Sequence, residues 1–82
     1  MMLRFGVIFT MGSDMGDYYC VLSEPTKAEA AQRTFRAYPD RWFHLLPFDG
    51  RFVAHCRAYG KKEIAFGART VIEEPNESIP PG

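Results

Sequence analysis

Eighty-two residues make one domain with one small core, at a length where many chains fold alone with little stability to spare. Hydrophobic residues at 46% and aromatic residues at 15% exclude a disordered chain, and two cysteines, Cys20 and Cys56, are too few for a small secreted disulfide scaffold. A formal net charge of zero argues against a protein held on nucleic acid by bulk positive charge.

That zero is unevenly built. Residues 1–26 carry Arg4 against Asp14, Asp17 and Glu24, a net of −2. Residues 27–62 carry Lys27, Arg33, Arg36, Arg41, Arg51, Arg57, Lys61 and Lys62 against Glu29, Asp40 and Asp49, a net of +5. Residues 63–82 carry Arg69 against Glu63, Glu73, Glu74 and Glu77, a net of −3. The middle is basic and both ends are acidic.

The opening run MMLRFGVIFTMG is too short and too broken by glycine for a signal segment or a membrane span. With so few cysteines it points to a reduced, cytoplasmic protein, in which the glycosylation-like triplet Asn76-Glu77-Ser78 carries no meaning. Leu3, Phe5, Val7 and Phe9 alternate with Arg4, Gly6, Ile8 and Thr10, a period of two that predicts a strand with the first set on the core side. Tyr18, Cys20 and Leu22 repeat the pattern, so the two runs predict an antiparallel hairpin. The loop between them, TMGSDMGDYY, lacks the lysine and helix start of a phosphate-binding loop, and Asp14 with Asp17 are too few oxygens for calcium. It reads as a chain reversal, with glycine supplying positive φ and Asp14 bonding local backbone.

Thr26 to Glu29 is a capping box that opens a helix. Ala28, Ala31, Phe35 and Tyr38 fall on one face as its predicted inner side, Glu29 and Arg33 pair on the outside, and Pro39 ends the helix near Tyr38. A short helical turn is expected around residues 40–46. The stretch 50–59 alternates tolerably as a strand, yet Asp49 suits an N-cap, Gly60 suits a left-handed C-terminal position, and Val53 is its one β-branched residue. A helix is favoured there, with a fourth strand as the alternative. Alternation returns over 63–72 and predicts a last strand, and EEPNESIPPG, residues 73–82, reads as an acidic, proline-containing disordered tail. The sum is a single α+β domain over residues 1–72: a three-stranded antiparallel sheet in the order β-β-α-(α)-α-β, with helices packed on one face.

No set of side chains here makes a catalytic or metal site. His55 and Cys56 are neighbours and point apart in either a helix or a strand, so the thiol is expected to be a small core residue, as is Cys20. His44, His55 and the cysteines lack the paired spacing of structural zinc, and no cofactor is expected. What remains is the basic, aromatic middle. Arg33, Arg36, Arg41, Trp42, His44, Arg51 and Arg57 are the candidate partner-binding residues, because Trp and Arg are the side chains that most often dominate interface energy. The alternative is that Trp42 and Phe43 fill the core and the arginines are a solvated face.

The function expected is a small non-enzymatic binding protein, an inhibitor or adaptor, that docks its basic and aromatic helical layer on a larger protein or complex. Size alone adds that such chains are common among phage and mobile-element accessory proteins, including inhibitors of the anti-CRISPR type. A nucleic-acid-binding protein using the basic centre, or a subunit of a larger complex, is the alternative.

Overall fold

The computed structural model describes residues 1–10 and 12–69. Strands β1 (Leu3–Phe9) and β2 (Tyr18–Glu24) form the predicted antiparallel hairpin, with Phe5 opposite Leu22 and Val7 opposite Cys20. Helix α1 (Lys27–Ala37), strand β3 (Phe43–Pro47), helix α2 (Gly50–Ala58) and strand β4 (Lys62–Glu63) follow. The fold is α+β as the pattern predicts, and its sheet runs β3-β1-β2-β4.

The sheet differs from expectation in three ways. It has four strands and is mixed: β3 is antiparallel to β1, while β4 is parallel to β2. Residues 43–47, expected within or beside a helical turn, are a strand, because the free edge of β1 takes up their backbone from Phe9↔Phe43 to Phe5↔Pro47. The predicted strand over 63–72 shrinks to Lys62–Glu63: Ile64 turns into the core and Gly67 adopts a φ of +97°, which ends extension. Residues 70–72 of that prediction, the domain limit at 72 and the tail at 73–82 lie outside the described residues.

The helices also take opposite faces of the sheet rather than one. Phe5, Val7 and Phe9 of β1 join Cys20, Leu22, Leu45, Ala30 and Tyr38 in the core under α1. Ile8 joins Phe52 and Cys56 in a second core under α2. Alternation explains the division, since odd and even residues of β1 face different helices. Five successive residues, Phe5 to Phe9, are therefore buried.

Both helices begin as predicted. Thr26 Oγ1 accepts from the Glu29 amide at 3.1 Å, and one Asp49 carboxylate oxygen accepts from the Arg51 and Phe52 amides at 3.0 and 3.1 Å. Past α2, Gly60 is left-handed at φ +65°. The inner face of α1 is turned from the predicted one: Tyr38 is buried and Ala31 packs against the core as expected, but Ala30 and Thr34 are buried in place of Ala28 and Phe35, and Phe35 is 60% exposed. Small side chains let the helix axis lie close to the sheet, and Thr34 satisfies its hydroxyl by donating to the Ala30 carbonyl at 2.8 Å.

The opening loop does reverse the chain, with positive φ at Gly12 and the Met15 side chain plugged into the core. Ser13, not Asp14, bonds the local backbone: its hydroxyl donates to the Thr10 carbonyl at 2.9 Å and accepts from the Met15 amide at 3.2 Å.

Candidate functional site

Sheet order leaves β3 at an edge, with no other strand of the described residues beyond it. The β1–β3 register fixes which backbone groups stay open. Thr10 donates to the Trp42 carbonyl at 3.3 Å and Phe48 to the Arg4 carbonyl at 3.1 Å, so even-numbered residues from Trp42 to Phe48 turn their backbone toward β1. The N–H and C=O groups of Phe43 and Leu45, with the C=O of Pro47, turn outward.

Grooves flank this strand on both faces. On the α1 side an open groove of about 460 Å³ is lined by Phe35, Pro39, Asp40, Arg41, Trp42 and Phe43. Trp42 is 84% exposed there. On the α2 side one groove, of about 330 Å³, brings Leu46 and Pro47 against Arg51 and His55, and another, of about 270 Å³, brings His44 against His55, Tyr59 and Lys61. Leu46 and Tyr59 are also exposed.

The charges of the two sides differ in kind. Arg41, whose side chain is only 15% exposed, grips both Asp14 oxygens at 2.9 and 3.3 Å and donates to the Arg69 carbonyl at 3.3 Å. Asp40 is held by Arg69 at 2.5 Å, and that hydrogen bond keeps its carboxyl below the ordinary carboxylate range. Every charge lining the aromatic groove is thus already matched. On the α2 side Arg51, His44 and His55 are exposed, and Asp49, which lines the same groove as Arg51 and His55, uses one carboxylate oxygen to cap α2.

The candidate residues therefore divide. Arg41 and Trp42 meet on one flank of β3, and His44 and Arg51 lie on the other. Arg33 is turned to the far side of α1, paired with Glu24 at 2.8 Å and stacked 4.9 Å over the Phe66 ring. Arg36 is exposed on α1, and Arg57 lines none of the grooves beside β3. The arginines of the two helices cannot share one surface, because the sheet stands between them. Phe35 and Leu46 were not among the sequence candidates. Phe35 was concealed by its place on the predicted inner face; the small pair Ala30 and Thr34, one turn apart, was the available sign of where the helix touches the sheet.

His55 and Cys56 diverge as expected. The imidazole lies 4.7 Å from the Tyr59 ring on the groove side, whereas Cys56 is buried beside Phe52 and burial pushes its thiol pKa up. Among the described residues no group of three or more His, Cys, Asp and Glu side chains gathers to hold a metal ion, and no helix is long and apolar enough to cross a membrane. No protein-family model, curated protein or solved structure matches the chain.

Proposed function

We propose that the protein is a small, non-enzymatic, cytoplasmic binding module, an inhibitor or adaptor that docks on a larger protein through the surface around Trp42. The observation that carries this is an indole 84% exposed beside a phenyl ring 60% exposed, in a groove whose charges are already matched. Exposed aromatics gathered in one concavity bury large areas on contact at little entropic cost, and Trp is foremost among interface anchors. Two buried free thiols support a reducing compartment.

The test is capture from a lysate of the native cell on the immobilised protein. Trp42→Ala and Phe35→Ala should lose the captured protein with unchanged melting temperature, while Arg57→Glu, away from β3, retains it. Retention by both aromatic variants together with loss in Arg57→Glu would refute the assignment.

A further inference from the structure

We propose that the ligand is an extended segment of the partner protein, alternating apolar and acidic residues, which adds antiparallel to the open edge of β3. The inference rests on the docking surface around Trp42 and specifies what lies on it. Three observations converge. The edge offers outward N–H groups at Phe43 and Leu45 and outward carbonyls at Phe43, Leu45 and Pro47, a ladder that only another strand satisfies fully. Grooves lie along both flanks, where the alternate side chains of an added strand would fall. The flanks differ in chemistry: aromatic and charge-matched toward α1, basic through Arg51 beside the imidazoles of His44 and His55 toward α2.

Register assigns the roles. Phe43 and Leu45 direct their side chains to the α1 side, so residues directly opposite them do the same and exchange backbone hydrogen bonds with them. Apolar residues of the ligand therefore carry the ladder and fill the Phe35–Trp42 groove. The residues between them, turned to the α2 side, meet Arg51 and the two imidazoles and are acidic.

The probe is a synthetic eight-residue peptide alternating valine with glutamate, read by fluorescence anisotropy and by amide exchange. Binding should slow exchange of the Phe43 and Leu45 amides. A valine–lysine peptide should bind at least tenfold more weakly, and Arg51→Glu should reverse that preference. N-methylation of the valines, whose N–H groups face β3, should cost at least tenfold, whereas N-methylation of the glutamates should not.

Equal binding of the lysine peptide, or indifference to valine N-methylation, would overturn strand addition. So would a wild-type dimer whose Phe43 and Leu45 amides are already protected, since a second copy would then hold the edge. An oligothymidylate that binds in place of the peptide and is lost in Arg51→Glu would assign the Arg51 flank to nucleic acid instead. Absence of peptide binding, with lysate capture still dependent on Trp42, would remove the strand and leave the docking surface standing.

Discussion

The Phe52 ring occupies the space directly above Gly6: a Cβ on Gly6 would come within 3.0 Å of three atoms of that ring. Gly6 faces α2, so this approach sets how closely the helix lies on the sheet and closes the smaller core around Ile8, Phe52 and Cys56. Glycine here is a packing requirement, since its φ is not positive.

Gly6→Ala should therefore destabilise the protein by about 2 kcal/mol, the cost of overpacking a filled core. Chemical denaturation measures it. Adding Gly6→Ala to Phe52→Leu, which vacates the ring position, should cost far less than adding it to wild type. Additive losses would mean that the ring is not the obstacle.

Tyr38 is fully buried at the end of α1, where its hydroxyl accepts from the Gly67 amide at 2.9 Å and donates to the Ala68 carbonyl at 2.7 Å. Tyr38→Phe leaves both backbone groups without that partner and should cost about 1–3 kcal/mol. Amide exchange should quicken at Gly67 before it quickens in β1. Burial raises this phenol from 10.0 to about 12, and burial raises the Cys20 thiol beside it from 9.0 to about 11. Both groups are neutral when protonated, so the folded state holds its protons more tightly than the unfolded one. The contribution of these two groups to stability should be level below about pH 9 and be lost progressively between pH 9 and 12. In Cys20→Ala the fall above pH 9 should be shallower, with Cys56 still contributing to it, as followed by melting temperature against pH; an unchanged slope would remove Cys20 as a source.

Cys20 lies in the core under α1 and Cys56 in the core under α2, with the sheet between them. Mild oxidation of native protein should therefore give no intramolecular disulfide. Both thiols should react slowly with Ellman's reagent at neutral pH, because burial raises each pKa and leaves little thiolate, and both should react at once in denaturant. Fast native labelling of Cys56 would show the second core to be open.

Local signals carried the features that depend on neighbours in the chain. The hairpin is written in the alternation of β1 and β2, and both helix starts in Thr26 and Asp49, whose side chains do the capping expected of them. What failed depends on distant residues. Phe35 outweighs Ala30 and Thr34 on any hydrophobic scale, yet the sheet needs small residues where α1 touches it. Strand β3 exists because β1 has a second edge to satisfy, and β4 runs parallel because the chain returns to β2 across the other face. The same limit scattered the candidate site. Nothing local states which face a helix will take, so Arg33 and Arg57 looked like companions and stand on opposite sides, whereas Trp42, His44 and Arg51 gather around an edge that the sequence pattern did not reveal. One hint was present: Val7, Ile8 and Phe9 are apolar in succession, as two-sided burial requires.

That two-sided burial has a consequence during synthesis. Strand β1 is translated before every element that covers it, and the residues that close its α2 face, Phe52 and Cys56, lie more than forty positions downstream. While the ribosome is still making α2, α1 can settle on the hairpin although Ile64 of the same core is still to come, and Ile8 has only Tyr19 and Phe48 beside it. The nascent chain thus carries an adhesive strip until Cys56 has emerged, and the interval in which a chaperone would hold it is set by the distance from Ile8 to Cys56.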